Sequence, residues 1–244
     1  MRNIKLIIEY DGKEFNGWQK QANKLNIQGE IENAIKEITG EKTELIASGR
    51  TDAGVHAIGQ AANFKTNSKI PIEKIPIALN TKLKKSIRIK DATEVSERFH
   101  SRYNCKKKTY CYTINNSKYG SSIYRNMQCH IPEKLNVEKM KKALKFFVGE
   151  HDFKAFKASG GSTKGTIRTI YDAKIEIDKE NIHIYLTGNG FLYNMVRIIS
   201  GTLVDVGLGK IEPEYIEEIL LSKDRKKAGR TLPAQGLCLM KVEY

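Results

Sequence analysis

Residues 4–10, IKLIIEY, open the chain with a strand pattern, because the side chains at positions 4, 6, 8 and 10 are apolar and share one face. Residues 26–40, NIQGEIENAIKEITG, then keep the spacing of an amphipathic helix. Asn26 is suited to cap its first turn, and Gly40 is suited to end it. The start of the sequence therefore predicts a strand followed by a helix.

The rest of the first half continues the alternation of strands and helices. Apolar patterning predicts, in chain order, a strand at 45–47, a strand at 60–66, a helix at 72–79 and a strand at 87–95. Pro76 weakens the prediction of the second helix, since proline disrupts a helix interior. The order strand, helix, strand, strand, helix, strand is the ferredoxin-like pattern.

The second half repeats the order of elements without repeating the sequence. The pattern predicts a strand at 109–115, a helix from Asn136 to a stop at Gly149, a hairpin of 170–177 with 182–186, a helix over 192–206, a helix opened by Pro213 and a strand at 237–242. The sequence thus predicts an α+β protein of two ferredoxin-like (RRM-like) halves, with domains at residues 1–104 and 105–244.

The charge of the chain indicates a polyanionic partner. The 42 Lys and Arg residues outnumber the 28 Asp and Glu residues, so the net charge is +14. The cations cluster in three runs: Lys82, Lys84, Lys85, Arg88 and Lys90; Lys106, Lys107 and Lys108; and Lys223, Arg225, Lys226, Lys227 and Arg230. Any single run is usually a solvated face. Three runs with tyrosines interleaved favour RNA, because cations bind phosphates and aromatic rings stack on bases.

Several protein classes are disfavoured. No apolar run approaches the roughly 18 residues of a membrane helix, and the charged residues among the first ten are untypical of a signal peptide. The four cysteines lack CxxC spacing, and the five histidines lack ligand spacing, so we expect no metal site and no disulfide framework. The pattern favours a reduced, cytoplasmic protein with no membrane contact.

The loop richest in chemistry is SGRTDAGVHA, residues 48–57. Its two glycines, Gly49 and Gly54, permit tight turns and bracket Arg50 and Asp52. A loop of this kind can present one ionised carboxylate as a nucleophile or a base. Equally, Asp and Gly are common turn residues, and the composition of the loop alone favours a simple hairpin turn.

Two other glycine-containing loops suggest less. Residues 160–166, GGSTKGT, do not have the Gly-Lys-Ser/Thr order of a phosphate loop, although a flexible basic loop that touches phosphate or RNA is compatible with them. Residues 188–190, GNG, lack the third glycine of a dinucleotide fingerprint, and helix capping explains them.

Five stretches, taken in order, carry a resemblance to a known family: YDGKEFNGWQKQ at 10–21; GRTDAGVHA at 49–57; FHSR at 99–102 followed by KTYCY at 108–112; NMVR at 194–197 with Gly201; and GL at 236–237. With these motifs the chain resembles the bacterial tRNA pseudouridine synthase A family from Tyr10 to Tyr244. The resemblance counts against the hairpin-turn interpretation of Asp52.

The resemblance implies a fold and a reaction. The implied fold is a mixed, mostly antiparallel sheet of two ferredoxin-like halves, with helices packed on it and a cleft between the halves. The implied reaction converts uridine 38, 39 or 40 of the tRNA anticodon stem-loop to pseudouridine, without cofactor or metal. The family also implies a homodimer in which one tRNA contacts both subunits.

The resemblance also implies roles for individual residues. Asp52 matches the essential aspartate, as nucleophile or base at the ribose. Arg50 matches an arginine that displaces the target base from the stem. Tyr110 matches a tyrosine that stacks on that base, and Arg197 an arginine that pairs with the aspartate. Leu237 matches a hydrophobic wall of the pocket.

The chain departs from the family pattern at a few positions. Ser101, Thr109 and Cys238 replace residues that are more often alanine, a basic residue and tyrosine, and residues 117–125 lack a usual proline. Two other function classes fit the sequence less well. An RNA-binding module without catalysis would need an RNP aromatic pattern, and the chain has none. A basic membrane-surface protein would need an amphipathic helix, and the nearest candidate, 139–147, has an apolar face that sheet contact explains.

Overall fold

The computed structural model describes residues 1–21, 23–160 and 165–244. In these ranges the strands are β1 (Arg2–Tyr10), β2 (Ile46–Ala47), β3 (His56–Thr66), β4 (Ile87–Val95), β5 (Lys107–Asn115), β6 (Cys129–His130), β7 (Gly149–Asp152), β8 (Ile167–Asp178), β9 (Asn181–Gly188) and β10 (Leu237–Glu243). The helices are α1 (Ile27–Thr39), α2 (Ile75–Lys82), α3 (Val137–Lys145), α4 (Met195–Gly207) and α5 (Tyr215–Ser222). The predicted basic loop at 160–166 falls largely outside the described residues.

The chain divides into two compact units. Unit 1 comprises Met1–Lys106 and Leu239–Tyr244, and unit 2 comprises Lys107–Cys238. The end of β10 therefore belongs with unit 1, whereas the sequence pattern predicts the whole last strand in the second half. That residues 1–104 and 105–244 are separate domains stays a prediction.

Unit 1 has the predicted order of elements. Its strands are neighbours in the order β4-β1-β3-β10, with β2 paired to β3. The β1–β3, β1–β4 and β2–β3 pairs are all antiparallel. Ile4, Leu6 and Ile8 on β1 are fully buried, as are Ile27 and Ile31 on α1. The alternation along β1 and the helical spacing along α1 thus confirm the two patterns read from the sequence.

The ends of the helices in unit 1 follow from particular residues. The Asn26 side chain accepts the Gly29 N–H at 2.8 Å, and Gly40 ends α1 with a φ of +75°, as predicted. The second predicted helix is confirmed with a later start, and Pro76 does not interrupt it. A 3₁₀ turn at Ile72–Lys74 precedes α2, which begins at Ile75, so Pro76 lies in the first turn, where its missing N–H is not needed.

Unit 2 has the strand order β5-β9-β8-β7, and β6 pairs with β5. The β5–β9, β8–β9 and β7–β8 pairs are antiparallel, and the β5–β6 pair is parallel. The predicted hairpin is confirmed, with Lys179 and Glu180 between β8 and β9. The strand pairing and the helices of the two units confirm the α+β class with mostly antiparallel strands.

Three boundary predictions in unit 2 are wrong. The third helix ends at Lys145, and Gly149, with a φ of +113°, opens strand β7 instead of ending the helix. The last helix begins at Tyr215 rather than at Pro213. Residues 188–190 do not cap a helix, because Gly188 ends β9 and packs against the backbone of Thr169. Strand pairing decides the structure at Gly149 and Gly188, and local sequence patterns do not report it.

In the described part of the chain, no helix is long and apolar enough to cross a membrane. None of the four cysteines is part of a disulfide. Burial raises the pKa of Cys111 and of Cys129, although side-chain hydrogen bonds oppose that effect in part. Both thiols therefore stay protonated near neutral pH.

Candidate active site

Asp52 stands at the start of a tight turn in the loop between β2 and β3. The Val55 N–H donates to the Asp52 carbonyl at 3.1 Å, which closes the turn. Gly54 occupies the third position of the turn with a φ of +79°, a conformation that glycine adopts without strain. Asp52 is partly exposed and Arg50 is exposed. The turn therefore presents both side chains on one short loop.

The first residues of this loop are fixed by a buried glutamine. The Ser48 hydroxyl donates to Gln60 Oε1 at 2.7 Å, and Gln60 Nε2 donates to the Gly49 carbonyl at 3.0 Å. The Ser48 N–H also donates to the Ala61 carbonyl at 2.8 Å. Because Gln60 is fully buried, these bonds are shielded from water, and the loop leaves β2 in a defined direction.

The end of β1 and the residues that follow it lie against the same loop. The Tyr10 hydroxyl and Thr51 Oγ1 are 2.8 Å apart, and the Trp18 N–H donates to the Thr51 carbonyl at 3.0 Å. A Cβ on Gly12 would collide with the Val55 carbonyl. Residues 10–18 thus contact the Asp52 turn at its beginning and at its end.

His56 adds one more contact to this stretch. The Gly12 N–H donates to His56 Nδ1 at 3.0 Å. Asp11 Oδ1 lies 3.2 Å from the same nitrogen. Buried His56 therefore acts here as an acceptor that holds the backbone at Gly12.

In unit 2, Arg197 projects from the first turn of α4. Its Nε donates to the Leu232 carbonyl at 2.7 Å, and its Nη1 donates to Asn194 Oδ1 at 2.7 Å. The Leu232 N–H returns a bond to the Arg197 carbonyl at 3.3 Å. Two bonds on a planar guanidinium fix its orientation as well as its position.

Glycines let the segment that holds Arg197 approach α4 closely. A Cβ on Gly201 would overlap the Arg230 carbonyl, and one on Gly229 would lie 2.7 Å from the Thr202 backbone. The Gly229 N–H donates to Thr202 Oγ1 at 2.9 Å. Gly201 is the glycine of the NMVR motif at 194–197. Its contact with the Arg230 carbonyl explains why a larger residue does not fit at this position.

Tyr110 and Leu237 are largely buried in unit 2. Tyr110 is 8% exposed and Leu237 is 6% exposed. The Tyr110 ring packs edge-on against Phe191, with centroids 5.1 Å apart. Phe191 was not singled out in the sequence, because nothing in its local pattern reports a contact with a ring 81 positions earlier.

Tyr112, in the KTYCY motif, is one of the tyrosines beside the basic runs that the sequence associates with base stacking, but it is fully buried. Its hydroxyl donates to the Pro233 carbonyl at 2.8 Å, and a Cβ on Gly236 would lie 2.6 Å from its ring. Burial raises the pKa of Tyr112 well above its usual range, and Arg197 and Arg230 oppose that shift only in part. Tyr112 therefore stays a phenol and supports the segment that leads to Leu237.

The structure places the five predicted site residues in two groups. Arg50 and Asp52 share the loop of unit 1, while Tyr110, Arg197 and Leu237 belong to unit 2. No group of three or more His, Cys, Asp or Glu residues suited to a metal occurs in the described ranges.

Comparison with known proteins decides the family. A model of the tRNA pseudouridine synthase family matches residues 6–104 and 143–244. The chain belongs to this family. Three tRNA pseudouridine synthase A relatives align over 244 residues and over the full length of both chains: 54% identical in Caldicellulosiruptor saccharolyticus, 52% in a Thermoanaerobacter species and 54% in Clostridium perfringens, where the name carries the number 2.

Family membership confirms the resemblance seen in the motifs. The chain is an isomerase of this family, which converts uridine to pseudouridine in tRNA. Among solved structures, a chain from an archaeal box H/ACA sRNP complex aligns with 96% of this chain and 46% of its own length, at 13% identity and a TM-score of 0.39. A likeness that weak carries no functional argument.

Proposed function

We propose that the enzyme isomerises uridine 38, 39 or 40 in the anticodon stem-loop of tRNA, with Asp52 as the catalytic carboxylate. The observation that carries this proposal is the Asp52 turn, which is closed by Val55 N–H and shaped by Gly54 within the motif GRTDAGVHA. The same string in a protein outside the family would fit a plain turn. Membership of the family favours the catalytic interpretation.

The reaction needs one carboxylate at the ribose. The bond between C1′ and N1 breaks, the uracil turns, and a bond forms between C1′ and C5. The proton on C5 is lost and N1 gains one, so the product is an isomer of the substrate. An ionised carboxylate can attack C1′ as a nucleophile or remove a ribose proton as a base. Asp52 is partly exposed on its turn, which suits either role.

Arg50 suits the displacement of the target base. A uridine stacked in the stem hides its glycosidic bond, so the base has to leave the helix before any chemistry. Arg50 is exposed two residues before Asp52, and its guanidinium can replace contacts that the extruded base leaves behind. We assign Arg50 to this step rather than to bond breaking.

The residues of unit 2 suit binding and orientation. The positively charged guanidinium of Arg197 is oriented by its hydrogen bonds to the Leu232 carbonyl and to Asn194. This arrangement fits an arginine that pairs with a carboxylate. The ring of Tyr110 fits stacking on a uracil face, and Leu237 fits an apolar wall. Each of these roles is a proposal made from the motif match and the side-chain environment.

The proposal also covers tRNA binding, the oligomeric state of the enzyme and its compartment. The charge of +14 supports binding to the phosphates of tRNA. We propose a cytoplasmic homodimer in which one tRNA contacts both subunits. Light scattering at the assay concentration tests the dimer, and an active monomer would contradict it.

Nucleotide-resolved pseudouridine mapping tests the function. Purified protein is incubated with unmodified tRNA transcripts that carry uridine at position 38, 39 or 40 alone, and with a transcript that has cytidine at all three. We expect pseudouridine only at the positions that hold uridine in this window. Modification elsewhere in the tRNA would overturn the assigned positions, and no modification by folded protein would overturn the proposed substrate site.

A further inference from the structure

The stretch that follows β1 has no role in the mechanism so far, yet it touches the Asp52 turn repeatedly. Thr51, the residue before Asp52, is 7% exposed. Its side-chain oxygen is bonded to the Tyr10 hydroxyl at 2.8 Å, and its carbonyl accepts the Trp18 N–H at 3.0 Å. The side-chain oxygen and the carbonyl of Thr51 are therefore both held by residues more than 30 positions earlier in the chain.

Gly17 brings the backbone itself into contact with the turn. Its φ is +85°, and a Cβ there would lie 2.7 Å from the Thr51 carbonyl oxygen and 3.1 Å from the Asp52 carbonyl carbon. A side chain would be strained by the backbone conformation and would also push the turn away. Gly17 thus allows the stretch to lie directly under Thr51 and Asp52.

The stretch is itself anchored to the core of unit 1. The Ile27 N–H donates to the Gly17 carbonyl at 3.3 Å, and the Gln28 N–H donates to the Trp18 carbonyl at 3.0 Å, so the first turn of α1 holds both residues. The rings of Tyr10 and Trp18 are both 2% exposed, with centroids 6.0 Å apart. A rigid strand end and a helix start therefore support the contact with Thr51.

We propose that Tyr10, Gly17 and Trp18 form a clamp on Thr51 that sets the position of the Asp52 carboxylate, with Tyr10 as a positioning residue for catalysis. The proposal rests on the proposed role of Asp52. Catalysis by a carboxylate depends steeply on placement, and an error of 1 Å can cost about 100-fold in rate. The Tyr10 hydroxyl acts through Thr51 and does not need to touch the tRNA.

A matched hydrogen bond elsewhere in unit 1 separates positioning from plain stabilisation. The Tyr244 hydroxyl donates to the Ser101 carbonyl at 3.1 Å. Tyr10→Phe and Tyr244→Phe each remove one hydrogen-bonded hydroxyl and keep the ring; Tyr10 is buried and Tyr244 is partly exposed. Loss of stability alone would affect both variants alike, whereas positioning predicts an effect on turnover only for Tyr10→Phe.

The experiment measures single-turnover rate, tRNA Kd and thermal unfolding for Tyr10→Phe, Thr51→Val, Thr51→Ser, the Tyr10→Phe/Thr51→Val double variant and Tyr244→Phe. We expect Tyr10→Phe and Thr51→Val to lower the rate by about 10- to 100-fold with Kd unchanged. The double variant should be no slower than the worse single variant, because both remove the same bond. Thr51→Ser keeps the hydroxyl and should recover most of the rate.

The outcomes separate this proposal from the proposed function. If Asp52→Asn abolishes turnover while Tyr10→Phe reacts at the wild-type rate, the clamp is wrong and the catalytic assignment stands. If Asp52→Asn keeps its turnover, the catalytic assignment fails first. Equal rate losses in Tyr10→Phe and Tyr244→Phe would also overturn the clamp. So would a variant that binds tRNA more weakly but reacts at the wild-type rate. Should Tyr10→Phe fail to fold, the comparison of Thr51→Ser with Thr51→Val decides.

Discussion

The Asp52 loop of unit 1 and the Arg197 turn of unit 2 hold their functional side chains in different ways. Around Asp52, the described bonds fix the residues on either side, through Tyr10 and Trp18 on Thr51 and through the Val55 N–H on the Asp52 carbonyl. At Arg197, the bonds fix the guanidinium itself. These bonds therefore act on the backbone beside Asp52 and on the side chain of Arg197.

A side chain that reacts and a side chain that orients another group need different kinds of support. For the carboxylate that we propose to react at the ribose, backbone support of its loop leaves the side chain able to change its bonding. An arginine that orients another group gains from a head that does not move. Both regions use a glycine where backbone meets backbone, Gly17 in unit 1 and Gly201 in unit 2.

The largest expected effect is that of Asp52→Asn. The amide keeps the size of the side chain and removes its charge, so turnover should fall by at least about 100-fold. The tRNA Kd should change little, because affinity comes mainly from phosphate contacts. Pseudouridine formation under single-turnover conditions and a filter-binding assay measure the two quantities.

Asp91→Asn is a suitable control for that experiment, since Asp91 is an exposed carboxylate on β4 of the same unit. It should leave both turnover and binding unchanged. A folded Asp52→Asn protein that binds tRNA and reacts at a near wild-type rate would show that the loop is only a turn.

Arginine variants in the two units should differ in how they can be rescued. Arg50→Ala should slow the reaction by impairing extrusion of the base, so a tRNA whose target uridine is mismatched and unstacked should restore part of the rate. Arg197→Ala should slow it by about 10-fold or more through loss of an oriented charge, and the mismatched tRNA should not help. Equal rescue of both variants would contradict the division of roles between the units.

Much of the fold could be predicted because the signals are local. Asn26 and Gly40 mark the ends of α1 through bonds within four residues of themselves. By contrast, β6 and β7 are two and four residues long and exist through pairing with β5 and β8. Their sequences carry too few alternations to predict a strand, and Gly149 was accordingly interpreted as a helix stop.

The site shows the same division. The Asp52 loop was found from its glycines and its motif, and the positions that carry Arg197 and Leu237 were found from the resemblance. The bond between Tyr10 and Thr51 spans 41 residues, and that between Tyr112 and Pro233 spans 121. Only the fold brings such partners together, so no spacing rule could have predicted them.

Lysines in the basic runs differ in whether they already form ion pairs with nearby carboxylates. In unit 1, Lys82, Lys84 and Lys90 lie 3.4, 3.9 and 3.2 Å from glutamate oxygens of the same unit. In unit 2, Lys226 and Lys227 are exposed, and no carboxylate of the described residues lies within ion-pair distance of either. We therefore expect Lys226 and Lys227 to contribute more to tRNA binding than Lys82, Lys84 and Lys90 do.

Salt dependence measures this difference. The slope of log K against log salt changes by about 0.9 for each phosphate contact that is lost from a duplex region. Lys226→Gln/Lys227→Gln should reduce the slope by more than Lys82→Gln/Lys84→Gln does, with turnover at saturating tRNA unaffected. A wild-type affinity that stays flat from low to physiological salt would remove the electrostatic account for both runs.

The smallest expected effect concerns Asp152 and Lys223, the ion pair at the edge of the unit 2 run, 3.1 Å apart. Burial by itself would raise the pKa of Asp152, but hydrogen bonds from Thr166, Lys223 and the Lys154 N–H outweigh it and lower that pKa. A lowered pKa in the folded state stabilises the fold above the unfolded value of about 3.9, and the gain is lost as pH falls through the folded pKa.

Asp152→Asn should therefore lower the free energy of unfolding near neutral pH, and the difference should shrink as the pH falls below about 3.9. Because Lys223 is more than half exposed, solvent screens the pair, and we expect a loss of about 0.5 kcal/mol that shrinks further at high salt. Urea unfolding of the variant and of wild type at pH 7 and at pH 3 measures the difference. Asp178→Asn, at the exposed end of β8, is the control and should be neutral at both values. A loss that is as large at pH 3 as at pH 7 would mean that Asp152 supports unit 2 through its hydrogen-bond geometry and not through its charge.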